Sequence, residues 1–169
     1  KNGDVSFFKR FNIIPRIIVN DIQVNTTDIA YNIRLTENID KYKLQSGVKQ
    51  IFDLIDVLSK WYIRRSRDRF VNGDTDALNT LHYILVEISK LLAPFAPFIS
   101  ESAYLTLNIG GKESVHLEEY PQPNMEYFDE KILNDMELIR TVCSLGLNIR
   151  DENKLKVRQP LSVAYVPVT

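Results

Sequence analysis

The chain has 169 residues, of which 44% are apolar, and a formal net charge of −1. This length permits one packed core with a small appendage, and the near-neutral charge argues against a dedicated nucleic-acid-binding module, which is usually strongly basic. With one cysteine, Cys143, the chain cannot form an internal disulfide, as is typical of a reducing cytosol, and no apolar run reaches the ~20 residues that span a bilayer. We expect a cytoplasmic protein without membrane contact.

The first helix is predicted after an opening segment, residues 1–20, which we interpret as a linker or the remnant of a preceding domain. Tyr31, Leu35 and Ile39 recur at the spacing of one helical face. The cluster Thr26-Thr27-Asp28 carries side chains that commonly cap helices, so we expect the helix to start there.

A second helix is predicted over about residues 47–70, because apolar side chains recur there at three- and four-residue spacing. The members of this apolar row are Val48, Ile51, Leu54, Ile55, Leu58, Trp61 and Tyr62. Asp53 and Asp56 are three residues apart on one helical surface. Pairing with Lys49 or Lys60 is a more ordinary role for them than acid–base catalysis.

The second helix ends in a run of arginines, namely Arg64, Arg65, Arg67 and Arg69. Lys60, Arg64 and Arg67 fall on a face separate from the apolar row. Guanidinium groups hold phosphates bidentately and stack on bases, so this row is a candidate site for an RNA backbone. The alternative is a solvated helix end, where the macrodipole favours cations. Trp61 could stack on a base, although its place in the apolar row favours packing in the core.

Three further helices follow with short connections. Thr75 or Asp76 is expected to cap the third helix, and Pro97 to open the fourth. Long helices with brief links pack antiparallel, so we predict an all-α, antiparallel helix bundle over residues 21–152. Residues 153–169 form a short extended segment, a candidate start of a truncated C-terminal domain of α/β type. We expect the protein to continue beyond both ends of this chain.

The sequence offers no catalytic, metal or cofactor site. His82 lies beside an apolar helical face, and His116 has no second histidine or cysteine at metal-ligand spacing. No glycine pattern follows a strand and precedes a helix, as a phosphate-binding loop would require. A second basic cluster, Lys154, Lys156 and Arg158, could follow an RNA backbone. For Arg158, pairing with Glu152 or with a carboxylate of a missing domain is the alternative.

Four stretches, in this order, resemble the anticodon-binding domain of isoleucyl-tRNA synthetases, a family of class I aminoacyl-tRNA synthetases. They are residues 61–70, WYIRRSRDRF; residues 89–99, SKLLAPFAPFI; residues 114–117, SVHL; and residues 154–161, KLKVRQPL. The proline-rich turn is shared with valyl and leucyl relatives, whereas the arginine-rich helix and the last stretch point to the isoleucyl branch. The opening helix departs from the family, because Asn20-Asp21-Ile22-Gln23-Val24 replaces a Leu-Asp-Arg-Trp-Ile type segment and lacks its Arg and Trp.

The resemblance implies a helical bundle that docks the anticodon stem-loop of tRNA, with isoleucine tRNA as the expected partner, for ATP- and Mg-dependent aminoacylation by a parent isoleucine–tRNA ligase. The His-x-Gly-His and Lys-Met-Ser-Lys-Ser type elements of class I synthetases are absent from the sequence. We therefore expect this chain to hold no catalytic site and no cofactor, and to adjoin the catalytic and C-terminal domains of the same protein. The residues expected to contact tRNA are Lys60, Trp61, Arg64, Arg65, Arg67, Lys154, Lys156 and Arg158.

Two alternatives stay open from the sequence. One is the equivalent domain of a valyl- or leucyl-tRNA synthetase. The other is a helical protein-interaction module without RNA binding, which the missing Arg and Trp of the first helix favour. A shared exposed surface of Lys60, Arg64 and Arg67 would favour RNA binding, whereas arginines folded back onto neighbouring aspartates would favour the protein module.

Overall fold

A computed structural model describes residues 21–107 and 111–163, and every regular element within these ranges is helical. The prediction of an all-α bundle is confirmed. Two compact units are distinguished, one over Asp21–Asp129 and one that includes the chain from Glu130 onward. The bundle limit at residue 152 stays a prediction. The predictions for residues 1–20, and for the extended segment beyond residue 163, lie outside the described residues.

The described residues of the first unit form five α-helical elements and two short 3-10 turns. They are α1 (Asp21–Asp40), α2 (Leu44–Val57), α3 (Arg64–Val71), α4 (Thr75–Leu92), α5 (Pro97–Leu107) and the 3-10 turns Val115–Leu117 and Met125–Tyr127, with α3 continuing α2. α1 packs against α2 and α4, and α5 packs against α4. The second unit contains α6 (Glu130–Glu152). None of the helices in the described part of the chain is long and apolar enough to cross a membrane.

A π-helical segment, Leu58–Ile63, joins α2 to α3 without a break. The residues buried along this continuous helix are Gly47, Ile51, Leu54, Leu58, Tyr62 and Ser66. In an α-helix each four-residue step turns the row by about 40° around the axis. A π-helical turn holds more residues, so the steps through Leu58 and Tyr62 stay closer to one face. The segment therefore keeps both ends of the helix packed on the same core.

The predicted apolar row of this helix is only partly correct. Ile55, which we predicted to face inward, is exposed, and Trp61 is only partly buried. The observed row instead includes Gly47 and Ser66, two small residues at close helix contacts. A pattern search for apolar side chains does not find such positions.

The capping prediction for α1 is wrong, because Thr26, Thr27 and Asp28 lie inside the helix and are buried. Thr27 Oγ1 donates to the Gln23 carbonyl oxygen at 2.9 Å, which is the bond a helix-interior threonine makes to the preceding turn. Thr26 Oγ1 donates to the Tyr127 carbonyl oxygen at 2.8 Å. These hydroxyls therefore satisfy backbone acceptors instead of capping helix donors.

The other helix ends follow the predicted chemistry with one shift. Asp74, not Thr75 or Asp76, caps α4, and its Oδ1 accepts hydrogen bonds from the amides of Asp76 and Ala77, both at 3.1 Å. Pro97 opens α5 as predicted. After α5 the chain forms the 3-10 turn Val115–Leu117, and the side chain of Ser114, which precedes this turn, accepts a hydrogen bond from the His116 amide.

Candidate nucleic-acid interface

The structure divides the arginine run of α3 into one anchored residue and three exposed ones. Arg69 donates from Nη1 and Nη2 to the two carboxylate oxygens of Asp21, at 3.0 and 3.1 Å, and from Nε to Asp74 Oδ2 at 2.7 Å. The Tyr62 hydroxyl donates to Asp21 Oδ1 at 2.9 Å. Asp21 thus joins α1 to the π-helical segment and to α3.

This network fixes the protonation of its members. The hydrogen bonds from Asp21, followed by those from Asp74, raise the pKa of Arg69 above its usual range. The same guanidinium lowers the pKa of Asp74, chiefly through its hydrogen bond. Burial, followed by the hydrogen bond to Asp21, raises the pKa of Tyr62. Arg69 is therefore always charged and already occupied by carboxylates, so we assign it to the fold and not to a ligand.

The other arginines point away from this network. The side chains of Arg64 and Arg67 are exposed and make no hydrogen bond or ion pair with another described residue. Arg65 is also exposed, and its guanidinium carbon lies 5.7 Å from the centre of the Trp61 ring, within cation–π distance. Trp61 is therefore only partly buried, and one face of its ring is already covered by the Arg65 guanidinium.

Lys60 differs from these arginines. Its ammonium lies 2.6 Å from Asp56 Oδ1, so the predicted pairing of this aspartate with a nearby lysine is confirmed. Both side chains are largely exposed, so water screens the pair, and its contribution to stability is small. The carboxylate nevertheless offsets the charge that Lys60 could offer a phosphate.

The second basic cluster belongs to the second unit, where it follows α6. Lys154 has a positive φ of 54° and sits at the position after the helix where glycine is preferred. Arg150 Nη1 donates to the carbonyl oxygens of Lys156 and Gln159, at 2.8 and 3.0 Å. The Arg150 guanidinium thus binds the backbone of the loop, while the side chains of Lys154, Lys156 and Arg158 are exposed. No ion pair joins Arg158 to Glu152 among the described residues.

Two partly buried acidic groups, Glu87 and Glu118, lie beside Lys90, and no sequence signal identified them. Glu118 accepts a hydrogen bond from the Tyr104 hydroxyl and lies 3.9 Å from the Lys90 ammonium. Lys90 also pairs with Glu87 at 3.1 Å. The hydrogen bond from Tyr104 is the main cause that lowers the pKa of Glu118 and raises the pKa of Tyr104.

Asp28 on α1 is the most perturbed carboxyl group of the first unit. It is 4% exposed, and its Oδ1 has no hydrogen-bond partner among the described residues. Burial, followed by repulsion from Glu87, raises its pKa to about 7. No sequence signal identified this residue, because its burial depends on helices that are distant in the chain.

The described residues contain no group of three or more His, Cys, Asp or Glu side chains that could hold a metal ion. His82 Nε2 is 2.7 Å from the Leu107 carbonyl oxygen, so it links α4 to the end of α5. Within the described part of the chain, the exposed arginines of α3 form a cationic surface.

An all-α bundle that presents an arginine surface on one helix agrees with the comparison with known families. The family model described as "Anticodon-binding domain of tRNA ligase" matches residues 30–165, most of the chain. The chain belongs to this family of anticodon-binding domains. A second family model, the C-terminal domain of the type II methyltransferase M.Eco57I, matches residues 1–52, a minor part of the chain that assigns no family.

Individual relatives make the resemblance more specific. The isoleucine–tRNA ligase of Streptomyces coelicolor is 40% identical over 143 residues, which cover 82% of this chain and 14% of that protein. The corresponding ligase of Cutibacterium acnes is 38% identical over 92% of this chain and 14% of its own length. That of Protochlamydia amoebophila is 42% identical over 77% of this chain and 13% of its own length. The predicted resemblance to the isoleucyl family is confirmed, and the chain spans about a seventh of these relatives.

Proposed function

We propose that this chain is the tRNA-docking module of an isoleucine–tRNA ligase and that the exposed arginines of α3 hold the anticodon stem-loop. One observation carries the proposal. Within a single arginine run, Arg69 is occupied by two carboxylates, whereas Arg64 and Arg67 are exposed without a carboxylate partner in the described structure. Structural anchoring alone explains Arg69, but it gives no role to the other two.

Arg64, Arg65 and Arg67 act as phosphate and stem contacts in this proposal. Their planar guanidinium groups suit phosphate oxygens, and hairpin RNA offers both phosphates and unstacked bases. Lys60 contributes less, because Asp56 offsets its charge. Trp61 stacks on a base only if Arg65 moves off its ring. Lys154, Lys156 and Arg158 follow the RNA backbone as a second, weaker contact.

The parent protein performs the ATP- and Mg-dependent aminoacylation of isoleucine tRNA in the cytoplasm, through a catalytic domain outside this chain. We place the ATP and Mg site in that catalytic domain. The relatives named above favour the isoleucyl branch over the valyl and leucyl ones. The protein-module alternative loses support, because Arg64 and Arg67 do not fold back onto an aspartate of the described chain.

The test is a titration of the chain with isoleucine tRNA and with a non-cognate tRNA at several salt concentrations. The double variant Arg64→Glu, Arg67→Glu is expected to bind on the order of ten- to a hundredfold more weakly, because phosphate contacts dominate RNA affinity. The matched control reverses Arg34 and Lys131, two exposed cations to which the proposal assigns no RNA contact, with the same change in net charge. Unchanged tRNA binding by the folded Arg64→Glu, Arg67→Glu variant would contradict the proposal.

A further inference from the structure

The outer side of α2 carries a second row of residues, offset by two positions from the buried row. The outer row is Gln45, Lys49, Phe52, Asp56, Lys60 and Arg64, and each member precedes a buried residue by two. Two residues along a helix correspond to about 200° around the axis. The outer row therefore points away from the core along the whole length of the helix, and every member is exposed.

Phe52 is the unexpected member of this row, because 61% of it is exposed. It lies between Lys49 on one side and Lys60 and Arg64 on the other. Lys49 has no ion pair within the described ranges. The one carboxylate of the outer row, Asp56, pairs with Lys60 at 2.6 Å. An apolar ring flanked by cations suits a base with its phosphates better than it suits an apolar protein surface.

The turn before α2 extends the outer row. Tyr42 has a φ of 56° and is 92% exposed, between the exposed lysines Lys41 and Lys43. The Tyr42 and Lys43 amides donate to the carbonyl oxygens of Ile39 and Asn38, both at 2.8 Å. This hydrogen-bond pattern ends helices with a left-handed residue, a position where glycine is preferred. A bulky ring there costs stability and packs on nothing, which points to a role outside the fold.

We infer that the RNA-binding surface runs from the α3 arginines along the outer row of α2 to the Tyr42 turn, with Phe52 and Tyr42 as stacking platforms for unpaired bases. The inference rests on the proposed function and extends it. Phe52 lies about 18 Å along the axis from Arg64, so the two residues contact different nucleotides. Single-stranded RNA is held in this way, by cations that follow its backbone and by aromatic rings that stack on its bases.

The test uses the 169-residue chain and an RNA hairpin that carries the anticodon stem-loop, with 2-aminopurine at successive loop positions. Phe52→Ala is expected to weaken binding on the order of five- to a hundredfold, the range found for one stacked base, and to lose the fluorescence quenching at one position. Phe52→Trp should restore both signals, and Phe52→Leu should restore neither. The matched control is Phe98→Ala, which removes another exposed ring, 91% exposed on α5.

Tyr42→Gly separates binding from folding. Glycine is favoured at a positive φ, so the melting temperature should stay equal or rise while RNA affinity falls at least fivefold, by about the loss of one stacked base. A purely structural role for Tyr42 would give the opposite pattern.

The outcomes distinguish the two proposals. If Phe52→Ala and Tyr42→Gly bind normally while Arg64→Glu, Arg67→Glu binds poorly, the stacking row is wrong and the docking function stands. Equal losses for Phe52→Ala and Phe98→Ala, or normal binding by Phe52→Leu, would likewise overturn the stacking row. Absence of hairpin binding by the unmodified chain would overturn both proposals.

Discussion

Asp28 shows how one side chain can make the stability of the bundle depend on pH. Its pKa is raised from 3.8 to about 7, so folding takes up a proton between these values. The stability contributed by protonated Asp28 is therefore complete below about pH 4 and is lost as pH rises to about 7. A shift of this size corresponds to at most about 4 kcal/mol.

Asp28→Asn keeps the shape of the neutral carboxyl group and removes the titration. We expect the variant to be more stable than the parent chain at pH 8. We also expect that its free energy of unfolding no longer falls between pH 4 and 7. Urea unfolding at a series of pH values measures this. Asp40→Asn, at an exposed position of the same helix, is the control and should leave the profile unchanged. An unaltered decline in the Asp28→Asn variant would mean that another group takes up the proton.

The arginines of α3 are chemically identical but predicted to differ in their effect on folding. Arg69→Met removes three charge-assisted hydrogen bonds and leaves Asp21 with only the Tyr62 hydroxyl as a partner, so we expect a loss of about 1–3 kcal/mol in the free energy of unfolding. Arg64→Met should change it by less than about 0.5 kcal/mol, as exposed positions usually do. Denaturant titration of both variants compares them directly, and equal losses would refute the division.

The sequence could not make this division between the arginines. It identified the run and its RNA-binding chemistry, but Arg69 is paired with Asp21, a residue far away in the chain. From the sequence, Asp21 was noted only within the segment that departs from the family's Leu-Asp-Arg-Trp-Ile pattern. Side-chain chemistry is therefore readable from the sequence, whereas the partner of a side chain depends on tertiary packing.

At the scale of elements, Gly47 sets how closely α1 and α2 approach. A Cβ atom at this position would lie 3.2 Å from Leu35 Cδ1, and Leu35 is fully buried. We expect Gly47→Val to destabilise the chain by about 1–3 kcal/mol, the usual cost of overpacking.

Gly146, inside α6, has no neighbouring atom within 4 Å of such a Cβ. Gly146→Ala should therefore stabilise the chain by about 0.5–1 kcal/mol through helix propensity. Thermal unfolding of both variants tests this contrast. Changes in melting temperature of the same sign in the two variants would contradict it.

Helix number and order were predictable, because apolar periodicity, proline and turn residues are local signals. In α4, Leu78 is exposed, while Ala77, Ile84 and Leu91 are buried. Since α4 packs against α1, α3 and α5, several partners decide its buried face, and leucine periodicity alone assigns it one position off. The N-terminal limit of α1 was also misplaced, because buried threonines resemble capping residues in sequence.

At the scale of the molecule, a net charge of −1 means that RNA binding must come from a local surface. Each neutralised phosphate contributes about −0.7 to −0.9 to the slope of log K against log salt. With three to five phosphate contacts, we expect a slope between about −2 and −5 for isoleucine tRNA. Neutralising Arg64 and Arg67 to glutamine should reduce its magnitude by about 1.5–2. A slope unaffected by these substitutions would assign the contacts to other cations.

The π-helical segment at Leu58–Ile63 also determines which changes in length the protein can accept. A π-helical turn holds more residues than an α-helical one, so the six residues of this segment turn the chain by about as much as five α-helical residues would. Deleting one residue there would give an ordinary α-helix and leave α3 in nearly the same orientation, so Arg69 would keep its contact with Asp21. A one-residue deletion should therefore be tolerated within this segment, whereas the same deletion elsewhere in α2 or α3 would rotate part of the buried row by about 100° away from the core.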